Sequence, residues 1–322
     1  MKNEKYALGV DIGGTNIKLG IVSSSGKIVF KTMLPTNRRD GPDEVISQLK
    51  KGIKSILGKK KYKIKGIGIG AAGSVSSKDG TVSNPPNVPG WKVVNIVKII
   101  KEEFNVSVFI DNDANAAAIG EMLYGVGKNY SSFALITLGT GVGGGLILNN
   151  KIFQGITGAA GEIGHISIDH NGRKCNCGAH GCVEAYVGNH YLIDIVKKEL
   201  LDHKDSKILE LINYNTDLLT PIIINQASEA DDKYANDVIE KVGYYVGCAL
   251  STVANLLEMD TFIIGGGVSA FGRPLIDSIK MTIKKNVLKI LKNRINVLQA
   301  QLKNDAGVIG AASLIFYNSK LN

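Results

Sequence analysis

The sequence predicts an α/β protein made of two related domains, and three observations support that prediction. The chain of 322 residues is too long for one ordinary hydrophobic core. Apolar runs typical of buried strands, such as Val106–Ile110, alternate with segments of helical periodicity, such as Asp40–Leu57. A strand, a glycine-rich turn and a second strand follow one another around Asp11–Asn16 and again around Gly139–Gly145. Because these turns lie in different halves of the chain, we expect two related domains that hold one polyphosphate between them.

The first half of the chain alternates between predicted strands and helices. The strands are Tyr6–Val10, Ile17–Val22, Ile64–Gly70 and Val106–Ile110. The helices are Asp40–Leu57, Asn95–Phe104 and an alanine-rich helix opened by residues 111–116. Within the first helix, apolar residues recur at the spacing of one helical face, at Val45, Leu49, Ile53 and Ile56.

The second half contains fewer predicted strands and more helix. The strands are Phe133–Leu138, Leu146–Leu148, Thr261–Ile264 and Ile295–Ala300. The helices are Tyr191–Leu201, Lys207–Tyr214, Val238–Leu257, Pro274–Leu291 and Ala306–Phe316. We interpret Cys248, on the third of these helices, as a core residue. Glycine and alanine residues in the last helix predict close packing against a neighbour.

Composition and charge narrow the class of protein. With 44% hydrophobic and 21% charged residues, the chain is typical of a soluble globular protein. The net charge is +9, but the basic run Lys59–Lys65 lacks the interleaved aromatic residues of single-strand binders. We interpret that run as a solvated helix end and expect no nucleic-acid partner. The N-terminus matches no signal or transit peptide and no window has the apolar length of a membrane span, so we expect a cytoplasmic protein without a membrane partner.

The glycine-rich turns indicate phosphate binding. Each turn joins two strands, whereas a P-loop or a dinucleotide fold has a helix after its glycines. Bare glycine amides can approach phosphates closely, and Asp11 at the mouth of the first turn is suited to hold Mg²⁺ through water. A third glycine cluster, Gly265–Gly267, follows a predicted strand. It either lets a flat purine lie against the backbone or forms only a tight strand-to-helix turn.

Polar residues cluster where the strand Val106–Ile110 gives way to a helix, which is a usual location for active sites in α/β folds. Asp113 is near the helix N-terminus, where the helix dipole favours its anionic form. Asp111 or Asp113 alone could simply cap the helix. A cap does not explain Asn112, Asp113 and Asn115 together, so we favour a functional role.

The segment Gly161–Glu184 contains three of the four cysteines. Cys175, Cys177 and Cys182, together with the upstream His165, form the ligand set of a closed structural zinc site. Glu162 and Glu184 bracket the cluster, and a bound metal would hold both carboxylates in fixed positions. Ordinary buried thiols and a disulfide are the alternatives, and nothing in the sequence indicates an oxidising compartment.

Six motifs together resemble the ROK family of sugar kinases, and most closely its bacterial glucokinases. They are DIGGTNIK at Asp11–Lys18, NDANAAA at Asn112–Ala118, GTGVGGG at Gly139–Gly145, GEIGH at Gly161–His165, CxCGxxGCxE at Cys175–Glu184 and IGGGVS at Ile264–Ser269. The match spans nearly the whole chain in the family's order, and the cysteine signature is specific.

The resemblance implies an actin-like ATPase (ribonuclease H-like) fold, with two α/β domains and an active-site cleft between them. Because the last helix of such folds returns to the first domain, we expect residues 1–113 and 306–322 to form the small domain. Residues 114–305 would form the large domain that carries the zinc site. A homodimer is the expected assembly.

The resemblance also implies roles for individual residues. Asp113 would be the general base that takes the proton of the sugar 6-hydroxyl. Sugar ligands would be Ala72, Gly73, Asn87, Asn112, Asp113, Glu162, His165 and Glu184. Phosphate and Mg²⁺ contacts would come from Asp11, Gly13, Gly14, Thr15, Lys18, Gly139, Thr140 and Gly141, and Gly265, Gly266 and Gly267 would border the adenosine. Zinc ligands would be His165, Cys175, Cys177 and Cys182.

The activity implied is phosphorylation of a hexose, glucose first, by Mg-ATP at the 6-hydroxyl. Kinases for N-acetylmannosamine, N-acetylglucosamine or fructose share these motifs, so the sugar stays open, as does the use of ADP or polyphosphate as donor. A non-catalytic sugar-binding regulator is the alternative from another class, against which the intact Asp113 and both phosphate turns argue. Many family members carry a DNA-binding domain ahead of the kinase fold. The first strand here begins at about Tyr6, so we do not expect a repressor.

Overall fold

The computed structural model describes residues 4–58, 62–85 and 88–321, except for the side chains of residues 320 and 321. Strands β1 to β13 are Tyr6–Ile12, Asn16–Ser23, Ile28–Pro35, Ile64–Ala71, Ser74–Ser76, Thr81–Ser83, Val93–Asn95, Val108–Asn112, Phe133–Leu138, Val142–Leu148, Lys151–Ile152, Thr261–Gly265 and Asn296–Gln299. Helices α1 to α10 are Pro42–Leu57, Ile96–Phe104, Asp113–Tyr124, Glu184–Val187, Asn189–Glu199, Lys207–Leu211, Pro221–Glu229, Lys233–Leu257, Gly272–Asn286 and Ala306–Leu321.

The chain folds into two compact units. The first contains Met1–Ser131, Gly145–Gly161 and Asn304–Asn322, and the second contains Ser132–Gly144 and Glu162–Lys303. The predicted domains, 1–113 with 306–322 and 114–305, place their boundaries elsewhere and stay a prediction. The compact units assign α3 to the first unit because this helix packs against α10.

The first unit is built on a five-stranded sheet with the order β3-β2-β1-β4-β8. Strands β1 and β2 form an antiparallel hairpin, whereas β1, β4 and β8 run parallel. Asp11 pairs with Gly70, and Gly70 pairs with Asp111. Because parallel strands end at the same edge of a sheet, this register brings the hairpin turn close to the start of α3.

Helix α10 packs on β1, β2 and β4 of this sheet. Gly9 and Gly68 are register partners at the point of contact. A Cβ atom added to Gly9 would lie 2.1 Å from the carbonyl oxygen of Val308, and one added to Gly68 would lie 1.8 Å from that of Ala311. The predicted close packing of the last helix is therefore confirmed, although the helix continues past the predicted end at Phe316 to Leu321.

Helix α1 buries the face that its periodicity predicts. Val45, Leu49, Ile53 and Ile56 are all buried and join the strands of the first unit in one hydrophobic core. The edge strand β3, the small antiparallel sheet β5-β6-β7 and helix α7 were not predicted. β3 is only half-buried along most of its length, and strands of three residues are too short to show a period.

The second sheet has the order β11-β10-β9-β12-β13, with β9, β12 and β13 parallel. The sequence predicts that the glycines before Leu146 belong to the turn. Strand β10 begins at Val142, so these glycines belong to the strand instead. Helix α8 starts earlier than predicted because Asp232 caps it, accepting the N–H of Ala235 at 2.7 Å. Helix α9 ends before the predicted Leu291, since Val287 is extended.

Cys248, which the sequence predicts as a core residue, is only partly buried on α8. No helix in the described part of the chain is long and apolar enough to cross a membrane.

Candidate active site

The first unit carries the β1–β2 turn. The N–H of Gly13 donates to the carbonyl oxygen of Asn16 at 3.0 Å and closes this turn. Thr36 holds it from the side: its hydroxyl donates to Gly13 O at 2.7 Å, and its N–H donates to Thr15 O at 2.9 Å. Lys18 is the register partner of Asp11. The turn is thus a loop of small residues closed by backbone hydrogen bonds, with one acid and one lysine at its base.

Asp11 and Asp113 lie close enough to influence each other. Burial, followed by the charge of Asp113, raises the pKa of Asp11 to about 6. Burial also raises the pKa of Asp113 above its ordinary value. A Cβ atom on Gly307, in the first turn of α10, would lie 2.3 Å from Asp11 Oδ2, so the absence of a side chain there makes room for the carboxylate. The edge of the sheet therefore presents a pair of carboxylates beside the hairpin turn.

The cap of α3 is Asn112, which resolves the alternative that Asp111 or Asp113 only caps the helix. Asn112 Oδ1 accepts the N–H of Ala114 at 2.9 Å and that of Asn115 at 3.4 Å. Asp113 is the first residue of the helix, and its Oδ1 also accepts the N–H of Ala114, at 2.9 Å. The carboxylate of Asp113 is therefore oriented by the helix without being needed as its cap.

A buried hydrogen-bond network that the sequence alone does not reveal underlies this helix start. Asp111 accepts from the N–H of Asn112 at 2.8 Å, from Asn115 Nδ2 at 2.9 Å and from Gln154 Nε2 at 2.7 Å. Burial raises the pKa of Asp111, and the bond from Asn115 is the strongest influence in the opposite direction. No sequence motif marks Gln154, because its contact with Asp111 depends on the fold.

The loop after β4 completes this side of the first unit. Gly73 has a φ of +99°, and Asn112 Nδ2 donates to its carbonyl oxygen at 3.4 Å. Ala72 lines the same hollow as the β1–β2 turn, together with Trp91 and Arg38. Asn87, predicted as a sugar ligand, lies outside the described residues. The structure thus brings Asp11, Gly13, Gly14, Ala72, Gly73, Asn112 and Asp113 to one edge of one sheet.

The second unit carries the cysteine cluster, and its geometry fits a metal. The ligand atoms of His165, Cys175, Cys177 and Cys182 all lie within 4.8 Å of one another. Cys175 Sγ is 3.8 Å from His165 Nδ1, and Cys177 Sγ is 3.6 Å from Cys182 Sγ. Tetrahedral zinc, with Zn–S of about 2.3 Å and Zn–N of about 2.0–2.1 Å, sets ligand atoms about 3.6–3.8 Å apart. The donor set therefore suits zinc, and these two separations match the tetrahedral spacing.

Two glycines with left-handed backbone allow this loop to fold back. Gly178 has a φ of +97° and Gly181 a φ of +72°. A Cβ atom on Gly181 would lie 1.7 Å from the carbonyl oxygen of Asp169. The N–H of Ile168 donates to Gly181 O at 2.8 Å, which ties the segment after His165 to the segment before Cys182. These contacts explain why ligands distant in the sequence converge.

Glu184 joins the cysteine loop to the second glycine turn. Its Oε2 accepts the N–H of Val142 at 2.9 Å, and its Oε1 lies 3.9 Å from Cys175 Sγ. A Cβ atom on Gly141 would lie 2.5 Å from Glu184 Oε2. The turn itself is closed by the N–H of Gly139 donating to Gly141 O at 3.0 Å, with Thr140 between them. Glu162 and His165 are the exposed ends of a short 3₁₀ turn whose middle residues, Ile163 and Gly164, are buried.

The third glycine cluster forms a tight turn, which is one of the two roles considered from sequence. Gly265 ends β12, and Gly266 has a φ of +84° with its Cβ position 2.2 Å from Leu138 O. Gly266 is therefore required by a tight turn. Apart from Gly267 and its two chain neighbours, no described atom lies within 4 Å of a Cβ atom built on Gly267, so this residue leaves open space. A flat ligand is compatible with Gly267 and is not needed to explain Gly266.

Comparison with known proteins gives a consistent result. A sequence model of the ROK family matches residues 7–317. A glucokinase of Halalkalibacterium halodurans is 36% identical, over 97% of this chain and 96% of its own. A xylose repressor of Bacillus subtilis is 28% identical, over 98% of this chain and 78% of its own. The crystal structure of a ROK family glucokinase from Streptomyces griseus in complex with glucose and AMPPNP is 32% identical, has a TM-score of 0.84, and matches 96% of this chain and 98% of its own.

Proposed function

The chain belongs to the ROK family, has its actin-like ATPase fold and is an ATP-dependent hexose kinase, and from this premise we propose that its substrate is glucose and its product glucose 6-phosphate. The observation that carries the proposal is the position of Asp113, a half-buried carboxylate at the start of α3, beside the glycine turn of β1 and β2. The choice of glucose is supported by the glucokinases among its relatives, with which this chain aligns along almost its full length.

Asp113 acts as the general base in this proposal. The 6-hydroxyl of the sugar loses its proton to Asp113 as its oxygen attacks the terminal phosphorus of ATP. A base works best when its pKa approaches the working pH, and burial raises the pKa of Asp113 in that direction. The hydrogen bond from the N–H of Ala114 to Oδ1 fixes the orientation of the carboxylate. A positioned base of this kind contributes about two to four orders of magnitude to the rate.

The glycine turns hold the phosphates. In the first unit, the turn of Gly13, Gly14 and Thr15 would face phosphate oxygens, with Lys18 at its base. Asp11 would hold Mg²⁺, which neutralises charge on the phosphates when it is bound. In the second unit, Gly139, Thr140 and Gly141 would contact phosphates, while Gly265, Gly266 and Gly267 would border the adenosine. Phosphoryl transfer needs mainly such positioning and charge neutralisation.

The sugar is held by groups that suit a polyol. We propose Asn112, Glu162, His165 and Glu184 as partners of its hydroxyls, with the backbone of Ala72 and Gly73, and Asn87, as further contacts. Carboxylates and amides each engage hydroxyls, and a hydroxyl missing from a substrate would leave them desolvated without a partner. Discrimination between hexoses follows from that penalty.

Zinc is the proposed occupant of the cysteine cluster. His165, Cys175, Cys177 and Cys182 supply one nitrogen and three sulfur atoms that all lie within 4.8 Å of one another. When bound, zinc would hold the loop closed and so fix the ring of His165 and the carboxylate of Glu184. We also propose that the protein is a cytoplasmic homodimer with the predicted domains 1–113 with 306–322 and 114–305, and that its product enters glycolysis.

The test is a panel of sugars with the purified protein and Mg-ATP. Glucose, mannose, fructose, N-acetylglucosamine and N-acetylmannosamine are compared by kcat/KM. A tenfold lead for glucose, equal to about 1.4 kcal/mol in transition-state binding, would support the proposal. A lead for an N-acetylhexosamine would move the substrate assignment and keep the base. Binding of sugar without turnover would favour a sugar-binding regulator. The xylose repressors among the relatives are the reason to consider this alternative.

A further inference from the structure

We propose that Arg38 is a phosphate-binding residue whose guanidinium completes the anion site at the β1–β2 turn and holds oxygens of the phosphoryl group in transfer. This inference rests on the proposed function, in which that turn faces the phosphates. Neither the motifs nor their spacing mark this residue, because it lies after β3, outside every glycine-rich segment.

The guanidinium of Arg38 lies against the glycine turn. A Cβ atom built on Gly14 would be 2.8 Å from Arg38 Nη1, and apart from Gly14 and its two chain neighbours only the Cζ of the same side chain also lies within 4 Å among the described atoms. Gly14 has no left-handed φ that would explain why a glycine is present. The absence of a side chain at Gly14 therefore makes room for the guanidinium.

The backbone before Arg38 is fixed to the same turn. Thr36 is bound to Gly13 O through its hydroxyl and to Thr15 O through its N–H. Asn37 has a φ of +54°, which directs the chain into a 3₁₀ turn that begins at Arg38. Its side chain donates to Glu44 Oε1 at 3.0 Å. Arg38 is thus placed beside the turn by a rigid connection.

The charge of Arg38 has no protein counter-ion among the residues that the structure describes. Glu44 is hydrogen-bonded to Asn37, the residue before Arg38. Its Oε1 accepts from the side chains of both Asn37 and Gln48. The side chain of Arg38 is half-buried and lines the hollow that also contains Trp91 and Val45. A partly desolvated cation beside apolar side chains is costly unless an anion approaches it. Such an arrangement fits a ligand that brings negative charge.

A phosphoryl group suits this guanidinium. The planar fork of arginine matches pairs of phosphate oxygens, and in phosphoryl transfer negative charge is spread over the oxygens of the group in transit. In the step proposed here, the bond from the terminal phosphorus to the bridging oxygen of ADP breaks while a bond to the sugar oxygen forms. The hydroxyl proton passes to Asp113. Arg38 stays protonated and exchanges no proton or electrons.

The first experiment compares Arg38→Ala, Arg38→Lys and Arg39→Ala. Arg39 is a matched control, since it is the exposed neighbour on the same 3₁₀ turn. At saturating glucose we expect Arg38→Ala to lower kcat/KM for Mg-ATP about 100-fold, as a lost charge-assisted pair would. The lysine variant should lie between, because it keeps the charge without the fork. Free guanidinium should restore part of the activity of Arg38→Ala, whereas it would not repair a purely structural defect.

The second experiment is a double-mutant cycle with Gly14→Ala. The new methyl group displaces the guanidinium, so Gly14→Ala should weaken Mg-ATP use in the parent protein and have little further effect in the Arg38→Ala background. Additive effects would overturn the proposal, because they would show that Gly14 acts independently of Arg38.

Product inhibition by glucose 6-phosphate shows whether Arg38 contacts the transferred phosphoryl group or only the phosphates that stay on ADP. A raised inhibition constant in Arg38→Ala, together with weaker Mg-ATP use, would place Arg38 on the transferred group. A raised KM for Mg-ATP with unchanged product inhibition would overturn that placement, as would equal behaviour of the two alanine variants. If the parent protein phosphorylates no hexose, the proposed function itself fails, whereas an active parent and an equally active Arg38→Ala remove only this inference.

Discussion

Replacing Gly68 by alanine tests the contact on which the first unit is built. Gly68 lies in β4, between its register partners Gly9 and Phe109. The added Cβ atom would be 1.8 Å from the carbonyl oxygen of Ala311 in α10. An ordinary carbon–oxygen contact is about 3.3 Å, so helix and strand would have to separate by about 1.5 Å. Since β4 is paired on both sides, α10 must yield.

The magnitude follows from the kind of atom that is struck. Overpacking a core costs about 1–3 kcal/mol when side chains can rearrange, and occasionally more. Here the obstacle is helix backbone, so we expect a loss of about 3 kcal/mol for Gly68→Ala. At about 2–4 °C per kcal/mol for a unit of this size, the melting temperature should fall by about 6–12 °C.

Gly70→Ala is the matched control, because Gly70 is on the same strand and the same face. Its Cβ position is 3.5 Å from the nearest atom, the Cβ of Ala116, which is ordinary contact. Removing a glycine from a strand should gain about 0.5–1 kcal/mol where nothing clashes. Thermal unfolding followed by circular dichroism compares the two variants. A melting temperature of Gly68→Ala within about 2 °C of that of Gly70→Ala would refute the reasoning.

Three further predictions concern the candidate site. Asp113→Asn should lower kcat by about 10²–10⁴ while calorimetry still detects glucose binding, and normal turnover would contradict the role of Asp113 as base. Cys177→Ser should lose zinc in metal analysis and raise the KM for glucose at least about tenfold; retention of both would exclude the cluster as the support of the sugar site. Because the pKa of Asp11 is raised from 3.8 to about 6, its ionisation opposes folding as pH rises through that range. Asp11→Asn removes activity, but it should stabilise the magnesium-free protein at pH 7.5 by no more than about 3 kcal/mol and so raise its melting temperature. At pH 4 the melting temperature should not rise. A destabilised variant at pH 7.5 would contradict this sign.

The sequence predicts those parts of the site that are marked by local chemistry. The cysteine spacing predicts a metal-sized cluster, and the four ligand atoms do converge. The order of strand, polar residues and helix predicts the position of Asp113 at the start of α3. Periodicity predicts the buried face of α1 because one helical face meets one core. In each case the signal lies within a few residues.

The remaining contacts depend on the fold and have no such signal. Gln154 reaches Asp111, and Arg38 reaches Gly14, across long stretches of sequence. The glycine run after Gly141 illustrates the opposite error. Its composition is typical of a turn, yet Gly143–Gly145 lie in β10, and a Cβ atom on Gly145 would be 2.8 Å from the Cβ of Ala118. Gly145 allows close packing of a strand on a helix, a requirement that cannot be distinguished from a turn by composition.

Glu184 connects two segments that the motifs present as separate, the second glycine turn and the cysteine cluster. One carboxylate oxygen accepts the N–H of Val142 at the second glycine turn, and the other lies 3.9 Å from Cys175 Sγ. A metal at the cysteine cluster would fix Cys175 and with it the loop that leads to Glu184. Loss of that metal should therefore loosen the glycine turn as well as His165. Chelation of the purified protein should then raise the KM for Mg-ATP together with that for glucose, and an effect on glucose alone would show that the N–H of Val142 does not need Glu184 to keep the turn in place.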